Sequence, residues 1–190
     1  YNNGRKFMDK SDKLELEASN IPDFKFCLTE SSKQDKQFLP LRAELKASGW
    51  DVRCAQNLEL IPGEYYKIPL GIKTFSPDGW WLELKPRSST FGKKFIHCLY
   101  GTIDESYEGE LIFACTYLPT DFLKLHYTNN CPSQNYDTLK LSFGEAIGQI
   151  IPVKRQEMTV TEVVEEEFKA LCSKRNASRG AGGFGSTDKK

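Results

Sequence analysis

Two glycine patterns overlap at the end of the chain. In RGAGGFGSTDKK, residues 179–190, Gly180, Gly182 and Gly185 satisfy G-x-G-x-x-G. Gly180 and Gly185 also fit the frame of G-x-x-x-x-G-K-[ST], with Ser186 where the lysine belongs. Both patterns hold phosphate by aiming the N-terminus of a following helix at it. Only Ser186 to Lys190 follow Gly185 in this sequence, so that helix is not expected here. The segment is either a disordered tail or a cradle that holds phosphate by other means.

Four further stretches carry residue types suited to chemistry. ASGWDVRCA, 47–55, sets Gly49 and Asp51 around Trp50. KPRSS, 85–89, places Ser88 and Ser89 behind Arg87. YGTIDESYEGEL, 100–111, gathers carboxylates around Tyr107, and FGEAIGQII, 143–151, carries Gln149. Singly, each has an ordinary scaffold reading. G-x-D reads as a turn, PRSS as an exposed loop, GTIDESYEGE as a hairpin with an acidic tip, and GEAIGQ as a turn into a strand.

Taken in order, the five stretches resemble the five motifs of the homotrimeric dUTPase family, the dUTP diphosphatases. ASGWDV is similar to the first motif, PRSS to the second, and GTIDESYEGE to the third, G-x-I-D-x-x-Y-x-G. GEAIGQ is similar to the fourth, usually G-E-R-I-A-Q, and RGAGGFGST to the fifth. The resemblance runs from about Phe24 to Thr187, and the third and fifth motifs are its specific parts. It implies an all-β, jelly-roll-like β-clip domain, a homotrimer with shared sites, and hydrolysis of dUTP to dUMP and diphosphate.

The resemblance also implies roles, each with a physical rationale. Asp104 would be the general base that activates a water against the α-phosphorus, since a carboxylate can orient and deprotonate water. Tyr107 would lie against the deoxyribose and leave no space for a 2′-hydroxyl. Main-chain groups of a hairpin around 98–104, with Cys98, Gly101 and Ile103, would read the pyrimidine. Arg87, Ser88, Ser89 and Gln149 would contact the phosphate chain. The tail would close over the nucleotide: a run of glycine N–H groups makes an anion nest without a helix. Gly185, Ser186 and Thr187 would wrap the distal phosphates, Arg179 would add a guanidinium fork, and Phe184 would stack on the base. Mg²⁺ would sit mainly on the triphosphate and water, as that ion prefers, with Asp51 reaching it through water.

The sequence departs from the family pattern in two places. Cys98 stands three residues before the third-motif glycine, where the family commonly has an Asn that helps recognise the base. Ala146 stands where the fourth motif has Arg. The stretches 118–142 and 154–178 are also longer than usual, and a regulatory protein partner could bind there. Two rivals follow. One is a dCTP deaminase or modified-pyrimidine hydrolase on the same fold, with Glu105 or Glu110 as its base. The other is a nucleotide-sensing interaction protein.

The surrounding elements must position these residues. A chain of 190 residues suffices for one domain with a core. Its 26 basic and 26 acidic residues balance, so no bulk field points to nucleic acid or to a membrane surface. No apolar run is long enough to span a bilayer and none reads as a signal-peptide core. A chain opening on Tyr1 rather than Met is expected to be trimmed or to carry added residues at its N-terminus. Six cysteines form no C-x-x-C pair, and His97-Cys98 would face opposite sides of a strand. Free thiols suit a reducing compartment, cytoplasmic or nuclear, in a cellular or a viral protein.

Short apolar stretches at all-β spacing predict strands in ELIPGEYYKIPLGIKTF (two, or one bent, turning at Pro62-Gly63), GWWLELK, KFIHCLYGTI, ELIFACTYL, FLKLHY, TLKLSF and AIGQIIPV. Val164, Phe168 and Leu171 at i, i+4 and i+7 predict one short helix, with Thr161 as its cap. The expected organisation is a loose N-terminal arm over 1–22, a β domain over 23–176 and a glycine-rich arm over 177–190.

Overall fold

Strand β6, Trp80–Pro86, is the spine of the sheet that carries most of the motif residues. Its alternation of apolar and polar residues, WWLELKP, sends Leu82 and Leu84 into the core. The computed structural model describes residues 21–44, 46–120 and 137–175, and the chain divides into two units, 1–155 and 156–190.

In the first unit the strands are β1 (Lys25–Leu28), β2 (Trp50–Arg53), β3 (Leu58–Leu60), β4 (Tyr65–Pro69), β5 (Ile72–Phe75), β6, β7 (Ile96–Cys98), β8 (Gly101–Ile103), β9 (Ile112–Tyr117), β10 (Leu139–Leu141) and β11 (Ala146–Lys154). They form one sheet in the order β2-β11-β6-β8, a second in the order β4-β9-β7, and two antiparallel pairs, β1-β5 and β10-β3. Every pairing is antiparallel. Val52, Leu82, Leu84 and Ile150 of the first sheet share a buried core with Ile68, Ile96 and Phe113 of the second. Gly148 lets the two layers close, because a Cβ there would stand 3.2 Å from both the Phe113 ring and the Lys85 carbonyl. Each fully buried aliphatic or aromatic side chain contributes on the order of 1.5–3 kcal/mol, so this core can hold a chain of short strands together.

Several expectations hold and several are corrected. The turn at Pro62-Gly63 forms, with Gly63 at φ 83°. The stretch around it makes three strands rather than two, because the chain breaks again at Gly71, φ 72°, between β4 and β5. A Cβ at Gly71 would come within 2.5 Å of Ser32 Cβ, so backbone must pass there bare. KFIHCLYGTI is two strands, not one. Residues 98–104 are no hairpin: β7 pairs with β9, β8 pairs with β6, and Leu99-Tyr100 crosses between sheets. GTIDESYEGE is likewise no hairpin, since β8 and β9 pair in different sheets.

PRSS leads into a short helix, α1 (Ser88–Gly92), instead of an exposed loop. The predicted C-terminal helix is therefore not the only one. That helix, α2 (Glu165–Lys174), belongs to the second unit. Val164 occupies its N-cap position without a capping side chain, so Thr161 is not the cap. FLKLHY lies outside the described residues, as do residues 1–20 of the expected arm and the whole stretch 177–190. No helix among the described residues is long and apolar enough to cross a membrane.

Candidate active site

Three motifs meet on one face of the first sheet. Gln149 of β11 lies across from Asp51 of β2 on one side and Lys85 of β6 on the other. At the end of β6 the chain turns into α1, and Arg87 Nε sits 3.2 Å from Asp51 Oδ1. Asp51 is 20% exposed and Arg87 37% in their side chains, so the pair is half-shielded from water. Gln149 Nε2 donates to the Pro86 carbonyl at 3.4 Å. Gly49 lies close beside it: a Cβ there would stand 2.6 Å from Gln149 Oε1 and would push the amide aside. The N–H of Arg87 and the hydroxyl of Thr90 both donate to the Ile147 carbonyl, at 3.2 and 2.7 Å, which docks α1 on β11. Ser88 is exposed and Ser89 half-buried at the start of α1. The result is a guanidinium, an amide and two hydroxyls on one rim, chemistry that suits a chain of phosphates.

The third motif stands elsewhere. Gly101 pairs with Leu84, and Ile103 with Leu82, so β8 runs back along β6 and delivers Asp104 beyond Leu82. Gly101 lacks a side chain where a Cβ would press on Leu84 at 3.3 Å, and Ile103 is buried. Asp104 is exposed. The N–H of Tyr107 donates to the Asp104 carbonyl at 3.1 Å, and its hydroxyl to the Glu110 carbonyl at 2.9 Å. Leu82 and Arg87 lie five residues apart in sequence along β6 and its end, roughly 16 Å at ~3.3 Å per residue. One chain therefore presents two separate groups of motif residues: Asp51, Arg87, Ser88, Ser89 and Gln149 at one end of β6, and Asp104 with Tyr107 toward the other.

The neighbouring acids are occupied. Glu105 accepts the Gly79 N–H at 2.9 Å and pairs with Arg155 at 2.7 Å. Glu110 accepts from Thr29 Oγ1, Ser31 Oγ and the Gly71 N–H at 2.8, 2.9 and 2.9 Å. Sequence reasoning did not find Thr29, Ser31 or Gly71. Their only signal was a Thr-x-Ser run far from any motif. The Asp104 carboxylate takes no hydrogen bond or ion pair among the described residues.

Cys98 is half-buried on β7, directly opposite Cys115 of β9. Burial pushes the Cys98 thiol up to about 11 and the Cys115 thiol up to about 12, so both are neutral at physiological pH. His97 points the other way, exposed, with Phe91 edge-on at 5.0 Å. A cleft of about 440 Å³ lined by Phe24, Trp50, Trp80, Leu82 and Pro152 includes none of the candidate site residues. Arg179, Phe184, Gly185, Ser186 and Thr187 lie outside the described residues.

Comparison with known proteins separates the possibilities. The dUTPase family model matches residues 35–121, which span the first three motifs. The deoxyuridine 5′-triphosphate nucleotidohydrolase of Hahella chejuensis is 32% identical over 157 residues, covering 80% of this chain and 88% of that protein. The chain belongs to the dUTPase family. Another family member, the corresponding enzyme of Bdellovibrio bacteriovorus, is 29% identical over 153 residues, 78% of this chain and 87% of its own length. A dUTPase of Staphylococcus bacteriophage 80alpha with dUpNHpp shares the fold at TM-score 0.65 and 20% identity, covering 88% of this chain and 98% of that one. The β-clip jelly-roll architecture expected of a dUTPase is thus the one observed.

Proposed function

We propose that this dUTPase hydrolyses dUTP to dUMP and diphosphate by in-line attack of water on the α-phosphorus, in a homotrimer whose sites combine residues of different subunits. The observation that carries the reading is the division of motif residues along β6. A group suited to phosphate sits at one end of the strand, and toward the other a carboxylate that has no partner among the described residues. Asp104 lies beyond Leu82, which is itself roughly 16 Å along β6 from Arg87, so the two groups of one chain are poorly placed to share one phosphorus, whereas the end of one subunit's β6 set against the Asp104 loop of a neighbour would complete a site.

Asp104 orients the water and takes its proton as the oxygen bonds to phosphorus. The bond from the α-phosphorus to the bridging oxygen breaks, and diphosphate leaves. Arg87, Ser88, Ser89 and Gln149 hold the phosphate chain in line and stabilise the charge that spreads over its oxygens. Tyr107 packs on the sugar. Cys98 with the main chain near Gly101 and Ile103 meets the pyrimidine, and the neutral Cys98 thiol can approach uracil carbonyls without repulsion.

No three His, Cys, Asp or Glu side chains converge as an all-protein metal cage among the described residues. The hard carboxylate oxygens of Asp51 suit Mg²⁺, which would be carried chiefly by the nucleotide and its waters, with the Asp51 oxygen opposite the Arg87 pair as its protein contact through water. A bound Mg²⁺ would neutralise phosphate charge.

The deaminase rival requires a glutamate base. The donors held by Glu105 and Glu110 tie both carboxylates to structure. An interaction role has one observation in its favour, the exposed Val164, Phe168 and Leu171 around α2. Phage 80alpha dUTPases are described as controlling virulence-gene transfer by a G protein-like mechanism.

A panel of deoxynucleoside triphosphates with Mg²⁺ tests the reading, run beside Cys98→Asn. We expect diphosphate release from dUTP, with measurable turnover of dCTP or 5-substituted dUTP. A thiol is a weak donor and acceptor where Asn offers both, so rejection of a wrong base is weaker. Cys98→Asn is expected to sharpen uracil selectivity. Ammonia release or binding without turnover would overturn the function. Strict uracil specificity unchanged by Cys98→Asn would remove Cys98 from base choice.

We also propose that residues 179–190 close over the nucleotide. Truncation before Arg179 is expected to leave a folded trimer with much weaker catalysis. Phe184→Ala is expected to lose stacking of about 1–3 kcal/mol. Unchanged kinetics after truncation would show the segment to be dispensable.

A further inference from the structure

We propose that Glu110 is a positioning residue that fixes how Tyr107 is presented to the sugar, and so sets discrimination of deoxyribose against ribose. The inference rests on the reading of Tyr107 as the sugar-facing residue. Glu110 is half-buried, and both its carboxylate oxygens are used. Oε1 accepts from the Thr29 hydroxyl and the Gly71 N–H, and Oε2 from the Ser31 hydroxyl. These donors come from the segment after β1 and from the turn between β4 and β5, two regions distant in sequence. The backbone beside Glu110 is held as well: the Leu111 N–H donates to Ile72 and the Leu111 carbonyl accepts from Leu70, each at 2.9 Å.

A carbonyl fixed in this way makes a fixed acceptor. The Tyr107 hydroxyl donates to the Glu110 carbonyl at 2.9 Å. Gly109 leaves room for the ring to lie on its backbone, since a Cβ there would stand 2.4 Å from the Tyr107 hydroxyl oxygen. The Tyr107 N–H holds the Asp104 carbonyl at the other end of the loop. The ring is thus constrained at its backbone, its face and its hydroxyl, while remaining 41% exposed. A ring so held can exclude a 2′-hydroxyl because it cannot step aside. A ring free to tilt could not. Charge-assisted hydrogen bonds are about twice as strong as neutral ones, so the three donors on Glu110 make a stiff anchor.

The test compares kcat/KM for dUTP and UTP in Glu110→Ala, Glu110→Gln, Tyr107→Phe and Tyr107→Ala, with thermal melts alongside. We expect Glu110→Ala to lower the dUTP/UTP ratio by about tenfold. Glu110→Gln should fall between it and wild type, because its amide cannot accept from Ser31 with the nitrogen. Tyr107→Phe should lower the ratio in the same direction. The double variant Tyr107→Phe/Glu110→Ala should fall short of the sum of the two single effects, as for residues acting as one unit. Tyr107→Ala should abolish most of the discrimination. If Tyr107→Ala leaves the ratio intact, the sugar-facing reading fails and takes the inference with it. If Tyr107→Ala collapses the ratio while Glu110→Gln, Glu110→Ala and Tyr107→Phe leave it within twofold, Glu110 only anchors the fold and the inference is overturned, whatever the melting temperatures. Should Glu110→Ala not fold, Glu110→Gln and Tyr107→Phe carry the same decision.

Discussion

Asp104→Asn is expected to lower kcat roughly 10²- to 10⁴-fold, the usual worth of a positioned base. Affinity for a non-hydrolysable imido analogue of dUTP should stay close to wild type. The carboxylate is exposed and takes no partner among the described residues, so an isosteric amide costs no structural contact. Its neighbours make the contrast. Removing Glu105 would cost Arg155 one ion pair and the Gly79 N–H its acceptor, and removing Glu110 would take the acceptor from three donors. Loss of activity in those variants would mix folding with chemistry, whereas in Asp104→Asn it would report on the base. Single-turnover rates and calorimetric titration check the prediction. Turnover near the wild-type rate would strip Asp104 of its role.

Mixing two inactive proteins is expected to restore activity. Arg87→Ala removes the guanidinium at one end of β6 and Asp104→Asn the base toward the other. Each variant alone should be nearly inactive. If every site takes Arg87 from one subunit and Asp104 from another, random mixing of the two chains leaves about one quarter of sites with both groups intact. Co-refolded, differently tagged chains purified through both tags should therefore recover a sizeable fraction of wild-type kcat per site. If each chain carries its own whole site, mixed trimers should gain nothing. Absence of activity in assemblies proven to be mixed would overturn shared sites. Asp51 loses its Arg87 partner in one arm of this experiment, so melting curves of that variant belong beside the kinetics.

The dependence of both outcomes on β6 marks where sequence reading worked and where it stopped. Leu82 and Leu84 alternate with polar residues, a local pattern that any strand facing a core must show, and the strand was legible from it. Pro62-Gly63 was legible because a positive φ at Gly63 is a property of one residue. The break at Gly71 was missed because its cause is remote: Ser32 and Phe38 occupy the space a side chain would need. Residues 98–104 read as a hairpin because two short apolar runs around a turn look alike whether they pair with each other or with different strands.

By itself the sequence determined the strand-rich class, the order of the five motifs and the chemical types in each, because these follow from local alternation, turn residues and the reactivity of single side chains. Only the tertiary structure decided that Asp51, Arg87 and Gln149 share a face while Asp104 stands apart, and that Glu105 and Glu110 are anchors while the Asp104 carboxylate takes no partner among the described residues. The physical reason is that strand pairing is non-local. Period-two alternation tells which face a residue takes, but partner and register come from packing across the whole chain.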